Sequence, residues 1–392
     1  MSVVLEKRGT SIYIHIPFCA SRCIYCSFFS TVGTHQEEAY VDALCREMEL
    51  RGDYLPLDHP VDTIYLGGGT PSQLSPTLLH TLMTHIGEKL LAPRNHGEHP
   101  REITIECNPD DMSASYAQAL ASIGFNRVSM GVQTFDDERL RFLHRRHDAH
   151  QAAAAMQQLH AAGIDNISID LIFGFPGQRL EQWEADIERA LELRPTHLSA
   201  YGLSYEEGTP LERQLRDGTI SAIDEEESLR MYDALCDRLQ DAGYEHYELS
   251  NFALPGYRSL HNSGYWQGVH YLGLGAAAHS YDGVSRQWNV GDLSVYIDSI
   301  AHDMIPMERE VLDQHTRWDD LMVTALRTCE GIDLSMVREE YGIDYLRYLL
   351  DAAQLSLSQD LLKIEDDHLR LTRRGIPVSD MVMADFMRSI GD

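Results

Sequence analysis

The sequence predicts an α/β fold built on a parallel sheet, followed by a small winged-helix-like α+β domain. Three observations predict it. β-branched runs alternate with helical patterns through the first two thirds of the chain, distinctive motifs recur just past the strand candidates, and the rhythm changes near residue 305. With 392 residues, 43% hydrophobic and 24% charged, the composition is that of an ordinary globular protein able to bury a sizeable core.

The strand candidates in order are "SIYIHI" (11–16), "DTIYLG" (62–67), "EITIEC" (102–107), "RVSMGV" (127–132), "ISIDLIF" (167–173) and "HLSAYGL" (197–203). Between them lie helix candidates over 37–50, 75–90, 113–124, 150–163 and 180–193, each with apolar residues at three- and four-residue spacing. Repeated βα units of this length mean a parallel sheet, either open and doubly wound or curled into a complete or partial barrel. Both place functional residues just past the C-terminal strand ends. Three cysteines follow the first strand, "GGGTPS" (67–72) the second, "ECNPD" (106–110) the third, "GVQTF" (131–135) the fourth and "IDLIFGFPG" (169–177) the fifth. Further on, 316–342 reads as helix, turn, helix, 361–375 as a two-stranded wing, and 378–390 as a last helix. Three domains are expected: a core over 1–240, an extension over 241–304 and the small domain over 305–392.

The opening residues lack the apolar core of a signal peptide, and no run approaches the ~20 apolar residues of a membrane span, so a cytoplasmic address is expected. Seven cysteines, three clustered and four scattered, do not form a disulfide framework in a chain this size. A formal charge of −29, with only Lys7, Lys89 and Lys363 beside the arginines, argues against a nucleic-acid partner, the winged-helix pattern included.

In "HIPFCASRCIYCSFFS" (15–30), Cys19, Cys23 and Cys26 stand at spacings that let one loop wrap a compact metal centre. Zinc with an open fourth position suits three thiolates, and so does an iron-sulfur cluster with one iron lacking a protein ligand. Three inert structural cysteines on one loop fit poorly, because such thiols invite metal or oxidation.

The phrase "YIHIPFCASRCIYC" resembles the cluster loop of the radical S-adenosylmethionine (SAM) superfamily, in the branch that holds the oxygen-independent coproporphyrinogen III oxidases and the haem chaperones of the HemW type. The resemblance implies a partial (β/α)6 TIM-type barrel with a winged-helix-like C-terminal domain. It also implies a [4Fe-4S] cluster on Cys19, Cys23 and Cys26, with SAM on the unligated iron, cleaved reductively to methionine and a 5′-deoxyadenosyl radical. Glu106 resembles the family's carboxylate for SAM, and Gln133 and Arg145 resemble its cofactor-contacting pair. Gly67, Gly68 and Gly69, with Thr70 after them, leave a backbone free for the methionine end of a cofactor. Asp170 ends the fifth strand, where a carboxylate can accept ribose hydroxyls. Tyr13 and Tyr25 flank the loop and suit adenine packing, cluster shielding or plain core packing.

The oxidases of this branch carry a fourth cysteine two residues past the triplet, where this chain has Phe28. "HNSGYW" (261–266) matches the H-N-x-x-Y-W signature of the chaperones, which implies reversible haem binding and delivery to recipient respiratory haem proteins. An imidazole such as His261 can ligate haem iron, and Tyr265 and Trp266 offer flat surface for the macrocycle. The expected function is thus a haem chaperone without coproporphyrinogen dehydrogenase activity, the alternative being that dehydrogenase. An electron donor of the flavodoxin or ferredoxin type is implied, and peripheral membrane association and a homodimer are both compatible with the resemblance.

Overall fold

Along the first strand, Ile12, Ile14 and Ile16 are fully buried against the helices, while Tyr13 and His15 alternate with them and face the other side of the sheet. The computed structural model describes residues 9–33 and 35–387; the last three residues of the helix expected over 378–390, and the start of the first expected domain, lie outside them. Six parallel strands, β1 (Thr10–Ile16), β2 (Val61–Gly68), β3 (Glu102–Cys107), β4 (Arg127–Gln133), β5 (Asn166–Phe173) and β6 (His197–Gly202), lie side by side in sequence order. A doubly wound sheet reverses direction at a switch point, whereas unbroken consecutive order is that of a barrel wall.

The connecting helices are α1 (Glu37–Leu50), α2 (Pro76–Ile86), α3 (Ala114–Ile123), α4 (Ala149–Ala161) and α5 (Leu180–Leu193). Ser75 and Ser113 accept the backbone N–H groups that open α2 and α3, and Asp148 forms a capping box with Gln151 at the start of α4. Their apolar stripes and the outward strand residues make one continuous core.

The wall does not close. Past β6 it continues through antiparallel strands β7 (Glu245–Glu248) and β8 (Asn251–Ala253), with β8 next to β6. On the opposite edge β9 (Tyr271–Leu274) pairs in parallel with β1, and β10 (His279–Tyr281), β11 (Ser285–Asn289) and β12 (Met307–Val311) extend the sheet as an antiparallel wing. The result is a twelve-stranded open sheet, a partial barrel. The wing was not legible as strands in the sequence, because its runs are short and lie among turns.

Inward positions low in the barrel carry Thr63, Glu102, Thr104, Arg127, Ser168 and His197, all buried. Branched aliphatic residues fill an ordinary closed barrel, so this lumen is polar by contrast.

The C-terminal domain packs helices Gln314–Leu326, Leu334–Glu340 and Ile343–Ala352 against a small antiparallel sheet, ordered β13 (Ile332–Asp333), β15 (His368–Leu371), β14 (Leu362–Glu365). The expected two-stranded wing thus gains a third strand. Its separate core centres on Trp318, whose indole N–H donates to Phe386 O at 2.9 Å. Arg373 ties this domain to the barrel through Asp233 and Asp237, and the Arg327 guanidinium lies 5.3 Å over the Trp266 ring. No described helix is long and apolar enough to cross a membrane.

Candidate functional site

The cysteine loop leaves β1 after Ile16 and is clipped back by a short parallel pair, Phe18–Cys19 with Thr31–Val32. His15 braces it from below. Burial holds the His15 pKa under its ordinary value, so the ring is neutral, with Nε2 2.9 Å from Phe29 O and Nδ1 3.0 Å from the Tyr13 hydroxyl. An N–H on Nε2 then donates to the carbonyl while Nδ1 accepts from Tyr13. Cys19, Cys23 and Cys26 are free thiols lining one cavity of ≈ 610 Å³ at the C-terminal rim of the barrel. Thr70 donates to Cys19 Sγ at 3.4 Å and the Arg145 guanidinium to Cys23 Sγ at 3.5 Å. Burial raises the thiol pKa of Cys19 and Cys26.

The glycine run forms the floor beside them. Gly68 has φ +110°, a left-handed conformation that strains any residue with a Cβ, and an added Cβ would run into the His15 ring. Its N–H donates to Glu106 Oε2 at 3.0 Å, and the Tyr65 hydroxyl donates to Oε1 at 2.8 Å. Burial pushes the Glu106 carboxyl up to about 7, against the opposing Tyr65 hydrogen bond.

Gln133 and Arg145 come together over Gly131. A register shift at the end of β4 puts Gln133 at φ +69°, and a Cβ at Gly131 would collide with both side chains. Arg145 donates to Gly131 O, while its Nε is buried with no partner among the described residues. Asp170 stands across from them, its carboxyl raised by burial and accepting from Ser129 at 3.3 Å. Tyr25 completes the wall, its hydroxyl pKa raised by burial.

These residues fit the group that the loop pattern implies. Three free thiols face one space, glycines leave its floor open, and a buried guanidinium keeps an unused donor there. Among the described residues no group of three or more His, Cys, Asp or Glu side chains is placed to hold a single metal ion.

Four predicted residues lie elsewhere. Tyr13 does not line the cavity: it sits inside the barrel with its ring 6.2 Å from Tyr65 and 6.4 Å from His261, because it falls three residues below the end of β1, ~10 Å down the strand. His261 is 1% exposed. One ring nitrogen lies 2.8 Å from Thr63 Oγ1 and the other 2.9 Å from the Tyr265 hydroxyl, so neither is free for iron. The helix that carries it, α6 (Leu260–Trp266), plugs the N-terminal end of the barrel, where Glu102 accepts the backbone N–H groups of Leu260 and His261 at 2.8 and 3.0 Å. Tyr265 and Trp266 are held there too, against Tyr271 and Arg327. The motif and the cysteine loop therefore occupy opposite ends of the barrel. His15 and Tyr65 were missed; their inward alternation with buried isoleucine or leucine neighbours was the available signal.

Residues 13–190 match the Radical SAM superfamily, and residues 312–378 match the HemN C-terminal domain. The chain is 33% identical over 382 residues to the heme chaperone HemW of Lactococcus lactis, across 97% of this chain and 98% of that protein. It is 36% identical over 335 residues to the heme chaperone HemW of Bacillus subtilis, across 85% and 87%. Among solved structures it is similar to coproporphyrinogen III oxidase (HemN) from Escherichia coli, with a TM-score of 0.83, 24% identity and coverage of 97% and 90%. At that identity the likeness is one of fold.

Proposed function

We infer from its sequence relatives that this chain, which belongs to the HemW family of the radical SAM superfamily, is a haem chaperone that binds a [4Fe-4S] cluster and SAM at the rim cavity and passes haem to respiratory haem proteins. The observation that carries the cofactor half of this reading is the convergence of Cys19, Cys23 and Cys26 with Glu106, Gln133, Arg145 and Asp170 on one cavity. When bound, the cluster supplies one electron and an open iron for SAM.

The chain's own residues would hold these groups. Cys19, Cys23 and Cys26 are the cluster ligands, and the donors from Thr70 and Arg145 at 3.4 and 3.5 Å would spread the charge on two of the sulfurs. Glu106 is the partner for the amino group of SAM, oriented by Tyr65 and the Gly68 N–H. Gln133 and Arg145 would hold the cofactor from one side of the cavity, and Asp170 would accept its ribose hydroxyls. Tyr25 and Ile172 keep water from that side of the cavity. No proton-transfer residue is needed for the holding role.

Position 28 favours the chaperone over the porphyrin-decarboxylating enzyme. Its side chain is an exposed phenyl ring at the cavity mouth, 68% accessible, where a fourth cysteine is expected of the oxidases. A flavodoxin or ferredoxin would supply electrons. The test is anaerobic incubation of reconstituted protein with coproporphyrinogen III, SAM and reductant, beside a haem-transfer assay to an apo-cytochrome. The chaperone reading expects haem transfer and no protoporphyrinogen; turnover of coproporphyrinogen would make the chain a dehydrogenase.

A further inference from the structure

The imidazole of His261, buried in the lower barrel, is pinned at both edges. Thr63 donates its hydroxyl hydrogen to Ser11 Oγ at 2.9 Å, so His261 Nδ1–H donates to Thr63 Oγ1 at 2.8 Å, and Nε2 accepts from the Tyr265 hydroxyl at 2.9 Å. Burial lowers the ring pKa to about 3, so the ring stays neutral and this tautomer persists. Glu102 fixes the backbone that carries it, accepting the N–H groups of Leu260 and His261. A ring held this firmly sets the position of whatever packs on it.

Two tyrosines pack on it. Tyr65 stacks at 5.0 Å between centroids and 27° between planes, and Tyr13, its register partner on β1, lies 6.4 Å from the imidazole and 6.2 Å from the Tyr65 ring. Their hydroxyls reach two different supports of the rim cavity. Tyr65 donates to Glu106 Oε1 at 2.8 Å; Tyr13 donates at 3.0 Å to His15 Nδ1, on the ring whose other nitrogen holds Phe29 O of the cysteine loop at 2.9 Å. Burial raises both phenol pKa values, which keeps the hydroxyls protonated and able to donate.

Backbone confines the same pair from another side. A Cβ on Gly67 would come within 2.8 Å of the Tyr65 ring and 3.0 Å of Glu106 Oε1, so the tyrosine and its acceptor lie directly on the glycine run. Between that backbone and the pinned imidazole Tyr65 has little freedom to turn.

We propose that His261 is a positioning residue for the rim cavity: packed against Tyr65 and Tyr13, it fixes the hydroxyls that orient Glu106 and, through His15, brace the cysteine loop. The inference rests on the proposed function, in which Glu106 pairs with SAM and the loop holds the cluster. It gives the histidine of "HNSGYW" a task at the far end of the barrel from its own position.

Two variants separate positioning from stability. His261→Ala removes the ring on which the tyrosines pack, whereas His261→Phe keeps a flat ring and loses both edge hydrogen bonds. The first readout is infrared titration of the Glu106 carboxyl band, assigned with Glu106→Gln, in the full-length chain before the cluster is reconstituted. Glu106 shares its surroundings with Tyr65, Tyr13, Arg127, Asp170, Tyr265 and Cys107, and among the influences that oppose its burial the Tyr65 hydrogen bond is the largest. The midpoint, about 7 in wild type, should rise by about one pH unit in His261→Ala and stay in place in His261→Phe. The second readout is SAM affinity of the cluster-loaded protein, which should fall by about tenfold in His261→Ala and match wild type in His261→Phe. Both variants should unfold more readily than wild type, so a loss of stability alone cannot produce that split. A wild-type midpoint and affinity in folded His261→Ala, or equal losses in the two variants, would overturn the proposal. Absence of SAM binding by loaded wild type would reject the SAM half of the proposed function, a failure told apart from the first because the carboxyl midpoints are read without the cofactor.

Discussion

The hydroxyl of Tyr65 donates to Glu106 Oε1 at 2.8 Å, and the opposite face of that tyrosine stacks on His261, 5.0 Å away with 27° between the rings. One side chain therefore spans from the plug at the bottom of the barrel to the carboxylate at the cavity floor.

Tyr65→Phe should weaken SAM binding. The substitution keeps the stack on His261 and removes only the hydrogen bond to Glu106. A hydrogen bond to an ionised group contributes ~1.5–3 kcal/mol, so a loss of about tenfold or more in affinity is expected. Equilibrium dialysis with labelled SAM on the cluster-loaded protein measures it. Unchanged affinity would show that Tyr65 serves only the packing of the lumen.

SAM affinity should rise with pH between about 5.5 and 7.5. Burial raises the Glu106 carboxyl to about 7, above the ordinary range, so acid pH leaves it neutral and pairing with an ammonium requires its ionised form. Affinity below pH 7 should fall by roughly tenfold per unit. Glu106→Gln should bind weakly with a flat profile. The same shift acts on stability with the opposite sense: the folded state binds the Glu106 proton more tightly than the unfolded chain, so this group favours folding at low pH, and that advantage fades as pH rises from about 4.5 to about 7.

Iron content should follow the triplet and not the other thiols. After anaerobic reconstitution, serine at 19, 23 or 26 should leave well under half of the wild-type iron and sulfide. Cys45→Ser and Cys236→Ser, whose thiols are buried in the hydrophobic core, should retain both. Equal iron in all five variants would remove the cluster assignment.

Gly68→Ala should disturb the site without unfolding the chain. The alanine must take φ +110° and displace the His15 ring that braces Phe29 O, at a cost of ~1–2 kcal/mol from backbone strain alone. The expected outcome is a cluster lost faster in air than in wild type, with circular dichroism unchanged. Equal cluster lifetimes would separate the His15 brace from the stability of the loop.

Much of this arrangement was legible beforehand, in a specific way. Strands of a parallel sheet are read from buried apolar runs, and residues just past their C-terminal ends must share a rim, so Cys19, Gly68, Glu106, Gln133 and Asp170 were placed together without coordinates. Tyr13, for which core packing was one of the readings, and His261 lie away from the rim for one physical reason. A linear motif reports which residues recur together, whereas height within a barrel depends on distance from the strand end and on where a returning helix docks. The segment bearing His261 follows β8 and returns beneath the strands, and nothing in "HNSGYW" itself encodes that direction. The wing escaped notice because strands of three to five residues carry too little alternation to be read.

His261→Ala should lower stability by ~2–4 kcal/mol. The change opens a void under Tyr65 and strips partners from Thr63 Oγ1 and the Tyr265 hydroxyl, at 2.8 and 2.9 Å from the imidazole nitrogens. A pH signature distinguishes this structural role from one in iron ligation. Burial lowers the His261 pKa to about 3, so the folded protein keeps the ring neutral while the unfolded chain protonates it below about 6.5. The unfolded state thus binds more protons between those values, and stability is lost as pH falls through that window at ~1.4 kcal/mol per unit for this one group. Urea unfolding should therefore show His261→Ala less stable than wild type at pH 7, and the gap should narrow by ~2 kcal/mol at pH 5, the variant's pH dependence being shallower by about one proton. The haem spectrum of the folded variant should equal that of wild type. A variant with wild-type stability and slope but an altered haem spectrum would return His261 to the iron and reject the plug as its function.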